Sequence, residues 1–370
     1  MDKAFRKDQI DILKTRMARG EISRRQFTQI ASVLLGAGAM GLPLAARASS
    51  DELVFVNWGG DAGPAYMAAY GKPFEEVTGI TVKMDGSGPT EGAIKAQAES
   101  GDPAWSIVDA EPFSAEALGA QGLMDPIDYS IVSKDKTRPG FGWEYAASAY
   151  FYSYVIAYDA TRFGDNPPKS MADFFDVETF PGKRAMYKWG AGMWEAALLA
   201  DGVKPADLYP LDVKRANDKI AAFKDNVVAF WGGGAESQSL LLNGDASMAI
   251  IWSTRARLLV QDSEGDIDFT WDQGIVAPGA MAVVKGGPGG TENAMKFIAS
   301  AQDPEKQVVM FEMLAQGPAN PAADSLLSPD EARFNPVDPA NYALQVPMDT
   351  KWYEEHYGSA LDAYLSIISA

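Results

Sequence analysis

Asp109 and Glu111 stand two residues apart at the end of the apolar run Trp105-Ser106-Ile107-Val108. Carboxylates at a strand end could receive an ammonium group or act as an acid–base pair. They could equally serve as ordinary acidic residues ahead of a helix from Ser114. A group of opposite charge, Arg255, lies three residues beyond Trp252 and suits two-pronged capture of a carboxylate. Gly59-Gly60 follows Trp58, and Gly232-Gly233-Gly234 follows Trp231 just ahead of Glu236. Glycines ahead of a helix let the backbone approach a ligand with free N–H groups aimed at it, or they are simply loop. Trp58, Trp189, Trp231 and Trp252 are candidate walls offering cation–π contacts of about 0.5–2 kcal/mol each, with core packing as the rival role. Ser87 completes the candidate ligand-binding set.

Other chemistries find little material. The 370 residues contain no cysteine and one histidine, His356, which excludes disulfides, thiolate metal sites and cysteine nucleophiles. Neither a GxSxG elbow nor an HExxH pair is present, so any hydrolase would have to use a carboxylate pair such as Asp109 and Glu111. Tyr150, Tyr152, Tyr154 and Tyr158 alternate with period two and share one strand face. Buried packing is favoured there over a tyrosine-ligated ferric site, which needs a compact set of further donors. We expect no cofactor, no metal and no catalysis.

The elements that must position these groups alternate between strand and helix periods, an α/β pattern. Strands are expected over Glu52–Trp58, Ile80–Met84, Trp105–Asp109, Ser148–Tyr158, Ala246–Trp252 and Gly274–Val284. Helical spacing covers Pro64–Val77, Thr90–Ser100, Glu236–Leu242, Thr291–Ala301, Asp303–Leu314 and Lys351–Ile368. Asn243-Gly244-Asp245 is a stop-and-turn signal, and Ser253-Thr254 reads as a cap for the helix carrying Arg255.

Residues 1–48 differ in kind. Ser23-Arg24-Arg25-Gln26-Phe27 is a twin-arginine pattern, an apolar stretch follows over Ile30–Ala46, and Ala46-Arg47-Ala48 fits small-x-small cleavage. Gly36, Gly38, Gly41 and Pro43 interrupt the stretch, so a cleaved signal peptide is expected rather than an anchor. This segment holds nine Lys/Arg and four Asp/Glu, leaving 23 basic and 46 acidic residues in the remainder, a net charge of −23. Such a surface disfavours nucleic acid and anionic membrane.

The order of Val227–Arg257 is informative: an extended segment, a helix, the L-x-x-G-D turn at Leu241–Asp245, a strand ending in Trp252, then Ser253-Thr254-Arg255. It resembles the periplasmic substrate-binding proteins of ABC transporters, in particular the spermidine/putrescine-binding cluster. The F-E-E-x-T-G-I-x-V series at Phe74–Val82, S-M-A-D-F-F at Ser170–Phe175 and the loop Gln316–Pro321 extend the resemblance over nearly all the mature chain. It implies a type II-like two-lobe fold with the ligand cleft between lobes. One lobe would hold residues 49–157 with 284–328 returning to it, the other 158–283 with 329–370 packed on it. It also implies capture of a small solute for an inner-membrane ABC permease, a periplasmic location and a monomer. A ferric-ion binder and a carboxylate-pair hydrolase are the alternatives. Two departures bear on the ligand. The polyamine binders carry acids near Tyr187–Gly192, where this chain has Lys188, and a Trp-x-Asp where it has Ala277-Pro278-Gly279. An unpaired buried charge costs about 3–5 kcal/mol, so a carboxylate-bearing amine, such as an amino-acid or opine-like compound, is expected over a polyamine.

Overall fold

The computed structural model describes residues 52–369; the twin-arginine, apolar and cleavage patterns lie outside the described residues. β1 (Glu52–Val56), β2 (Thr81–Asp85) and β3 (Ile107–Ala110) form a parallel triplet with β1 in the middle. After the short β4 (Met124–Asp125) and the long β5 (Ala147–Asp159), a second parallel triplet is built from β6 (Arg184–Tyr187), β7 (Val227–Trp231) and β8 (Met248–Trp252), with β6 central. The 18-residue β9 (Ile267–Val284) runs antiparallel to β5, and the two join the triplets in the order β2-β1-β3-β9-β5-β8-β6-β7. The C-terminal end of β9 pairs with β3 (Asp109 opposite Met281), while β5 pairs with β8 (Tyr154 opposite Trp252).

Helical crossovers inside each triplet require helices on the sheet faces, so the strands deepest in the sheet are largely buried on both faces rather than alternating. Every residue of β5 except Asp159 is buried. The segment expected as one helix after Trp58 is α-helical over Ala62–Tyr66, widens to a π turn over Met67–Gly71 and resumes over Lys72–Thr78. Pro73 lacks the N–H that would bond the Ala69 carbonyl, which accounts for the widening. Gly79 stops it with φ 74°.

One local expectation is corrected, and one element reaches further than its neighbours in sequence. Ser253 and Thr254 do not cap their helix: it spans Ser253–Asp262 with Trp252 as N-cap, and Ser253 Oγ instead accepts the Ser153 N–H at 3.1 Å, tying the helix to β5. The final helix, Thr350–Ile368, is not confined to one triplet. Tyr353 and Tyr357 pack on Phe113 at 4.9 Å, in the helix following β3, while the Tyr364 hydroxyl donates to the Tyr187 carbonyl at 2.7 Å, on β6.

Candidate ligand-binding site

The carboxylates come from the end of β3 and are held from β5. Tyr150 donates its hydroxyl to Asp109 Oδ1 at 2.8 Å, and the next tyrosine on that face, Tyr152, donates to Glu111 Oε1. Glu111 is the N-cap of the helix Pro112–Ala120 but makes no side-chain cap bond, so capping is not its role. Burial raises Asp109 to about 7, opposed by the Tyr150 and Tyr66 hydroxyls and by the charge of Arg255. Burial raises Glu111 to about 8 against the Tyr152 hydrogen bond, and the neighbouring Asp109 charge adds to the rise. The tyrosine face expected to be plain packing thus serves as a hydroxyl ladder for the acids.

Arg255 enters from the other triplet, on the first turn after β8. It is 2 % exposed; Nη2 donates to the Gly59 carbonyl at 3.1 Å and Nη1 lies 3.5 Å from the exposed Asp61 carboxylate. Burial weakens the guanidinium's hold on its proton, with Asp61 the first of the charges opposing that. The glycines expected to cradle a ligand explain this approach instead. A Cβ on Gly234 would stand 2.3 Å from Arg255 Nε, and one on Gly59, whose φ is +71°, would stand 2.8 Å from the Gly86 carbonyl oxygen. Glycine is needed so that the guanidinium and two loops can meet.

Between these groups lies an inner cavity of about 30 Å³, bounded by Trp58, Asp109, Glu111, Tyr150, Trp252, Arg255 and Gln316. An outer cavity of about 340 Å³ adjoins it and shares Trp58 and Glu111 as walls. Five buried polar atoms on residues of the inner cavity have no hydrogen-bond partner: Glu111 Oε2, Gln316 Oε1, Trp252 Nε1, and Arg255 Nε and Nη1, the last held only by the longer ion pair with Asp61. Native proteins rarely leave such atoms unmatched, so their convergence on one cavity marks a binding surface.

The cavities bring together Trp58, Asp109, Glu111, Trp252 and Arg255 on the inner side and Trp189 on the outer, with Gly59 at the edge through its carbonyl. Three other candidates sit elsewhere. Trp231 is wholly buried, donates Nε1 to the Ile250 carbonyl and packs behind Tyr187 and Trp252 at 4.5 and 4.9 Å, a second row of the wall. Exposed Glu236 turns back to accept the Gly232 N–H at 2.8 Å, and exposed Ser87 spends its N–H on Asp85. Tyr150, Tyr152, Thr254 and Gln316 were not singled out as ligand-binding from sequence; the period-two tyrosines were the available signal. Among the described residues no group of three or more His, Cys, Asp or Glu could hold a metal, and His356 stacks on Trp352 with rings 5.0 Å apart.

Residues 69–334 match the profile of the bacterial extracellular solute-binding proteins. The chain belongs to this family. It is 33% identical over 343 residues to a gamma-aminobutyric acid-binding protein of Pseudomonas aeruginosa, covering 90% of this chain and 95% of the relative. Among solved structures it is similar to the Atu4243 GABA receptor (35% identity, TM-score 0.76, 86% and 97% of the two chains) and to MotA of A. tumefaciens B6 in complex with glucopine (30%, 0.81, 86% and 99%). A likeness to the spermidine/putrescine-binding PotD of Streptococcus pneumoniae at 19% identity (TM-score 0.65, 85% and 98%) shows the shared fold alone. The fold is that of the two-lobe periplasmic binding proteins, and the chain is the extracellular solute-binding component of an ABC importer. Proteins of this family bind solutes rather than transform them. No described helix is long and apolar enough to cross a membrane.

Proposed function

We propose that this protein captures a small zwitterion bearing an amine and a carboxylate, of the γ-aminobutyrate or opine class, and presents it to an inner-membrane permease. The observation that carries this reading is the meeting of buried groups of both signs on one cavity: the Arg255 guanidinium for a carboxylate, and the unpartnered Glu111 and Gln316 oxygens for an ammonium. The relatives named for gamma-aminobutyric acid and glucopine support the same ligand class. A polyamine is disfavoured because the buried Arg255 guanidinium on the cavity wall repels a second cation and has a use for a ligand carboxylate. At the position of the missing Trp-x-Asp, the Tyr150 ring lies where a Gly279 Cβ would come within 2.1 Å of it, leaving no room for an acid.

On this reading the lobes are residues 49–157 with 284–328 and residues 158–283 with 329–370, with β5 and β9 as crossovers. Residues 1–48 direct export by the twin-arginine route, and the mature protein acts in the periplasm as a monomer. Isothermal calorimetry with γ-aminobutyrate and spermidine tests the ligand class. Arg255→Ala should weaken γ-aminobutyrate binding at least about tenfold, or roughly 1.4 kcal/mol. Tight spermidine binding unaffected by Arg255→Ala would overturn the reading.

A further inference from the structure

The outer cavity is not needed to hold a bare amino acid's two charges, yet it is by far the larger space. The inner cavity, about 30 Å³, admits one or two small polar groups, whereas the outer offers about 340 Å³. A ligand whose charged head sits among Arg255, Glu111 and Gln316 must therefore place its remaining bulk outside.

Glu111 fixes where that bulk is attached. It is a wall of both cavities, with Oε1 occupied by Tyr152 and Oε2 without a partner. Because Glu111 is shared by the two cavities, an ammonium held by Oε2 can carry a substituent on its nitrogen into the outer one. The walls there are aromatic and aliphatic: Trp58, Tyr187, Trp189, Tyr357 and Leu361, the last two from the C-terminal helix. Flat rings of this kind suit a C–H-rich group. Charge narrows the choice further. Among the described residues, the charged ones lining the outer cavity are Glu91 and Glu111, which oppose an anionic substituent. Glu91 already accepts the Ser114 hydroxyl at 3.1 Å and feels the charge of Lys95, so it offers little to a second cation.

We infer that the outer cavity is a second subsite, which takes an uncharged substituent on the ligand amine. This rests on the zwitterion reading above and sharpens it: the preferred solute is an N-substituted amino acid rather than a bare one.

Calorimetry on the mature protein with three probes tests this. N-benzyl-γ-aminobutyrate should bind at least about tenfold more tightly than γ-aminobutyrate, and N-(2-carboxyethyl)-γ-aminobutyrate more weakly than the benzyl compound. Filling the outer cavity with Leu361→Trp should remove the benzyl advantage while leaving γ-aminobutyrate within about twofold. Ala93→Met, at another residue lining the outer cavity, is the second variant should the first misfold. Equal affinity for γ-aminobutyrate and its benzyl derivative, or equal losses for both in the filled variants, would overturn the subsite while leaving the zwitterion reading intact. Failure of all three probes to bind would instead remove the zwitterion reading, and the subsite with it.

Discussion

Asp109 and Glu111 stand at about 7 and about 8 chiefly because burial penalises their charged forms. Between the ordinary carboxyl value near 4 and these raised values, the folded chain keeps protons that the unfolded chain releases. Stability without ligand should therefore fall as pH rises from about 4 to about 8, read as a declining melting temperature. An ammonium ligand needs the ionised acids, so its binding should release protons near neutrality and tighten between about pH 6 and 8. Calorimetry in two buffers of different protonation enthalpy measures that release; none, or affinity falling with pH, would oppose the assignment. Gly234→Ala would drive a methyl into the Arg255 guanidinium, costing about 1–3 kcal/mol of stability by overpacking and at least about tenfold in affinity. Asp109, Glu111 and Arg255 were legible in the sequence because they are charges at the ends of apolar runs. Tyr150 and Tyr152 were not legible as partners, because a period-two aromatic run also describes a core strand. Which hydroxyl meets which carboxylate depends on the β3–β9–β5 register, set by residues about forty or more apart in the chain.

Strands were the most legible elements, since a short apolar run bounded by turn residues has few alternatives. β9 was legible only from Gly274 onward; its first half, from Ile267, is polar enough to read as loop and becomes strand by pairing with the end of β5. The C-terminal helix was legible as a helix, but its reach across both triplets was not, because that depends on what its tyrosines find. Tyr353 donates to the wholly buried Glu195 carboxylate at 2.9 Å and accepts the Gly192 N–H at 3.1 Å, while Tyr209 reaches the same carboxylate at 2.6 Å. Burial raises Glu195, and these hydroxyls oppose the rise. Tyr353→Phe leaves the Gly192 N–H without its partner and Glu195 with less support. It should destabilise the protein by about 1–3 kcal/mol in urea unfolding. If the helix acts as a wall of the outer cavity, the same variant should also weaken N-benzyl-γ-aminobutyrate more than γ-aminobutyrate. Unchanged stability would argue that the helix is held by its apolar face alone.

Across the described residues, β5 and β9 join the two triplets in the main strand order, and their ladder is interrupted where they cross. The pairing steps from Tyr154–Ile275 to Ile156–Thr270, so residues 271–274 loop out of it, with Gln273 at φ 58°. An interrupted ladder bends more readily than a continuous one. Around the cavity the halves also meet through Arg255 on the Gly59 carbonyl, Trp58 edge-on to Trp252 at 5.8 Å, Gly60 close to Ala235, and Tyr353 and Tyr357 of the C-terminal helix on Phe113. A ligand that touches Arg255 from one half and Glu111 from the other stabilises this meeting of the halves. It has fewer partners when they part, and only such differential contact shifts an equilibrium between open and closed forms. Addition of a tightly bound zwitterion should therefore shrink the radius of gyration measured by X-ray scattering. It should also raise the melting temperature by mass action, since a ligand at one hundred times its Kd adds about 2.7 kcal/mol. In Arg255→Ala the compaction should require correspondingly higher ligand concentration, because the cross-cleft anchor is gone. Binding with unchanged radius in the wild type would mean that the two halves do not close on the ligand, and the clamp would have to be abandoned even if the ligand class stood.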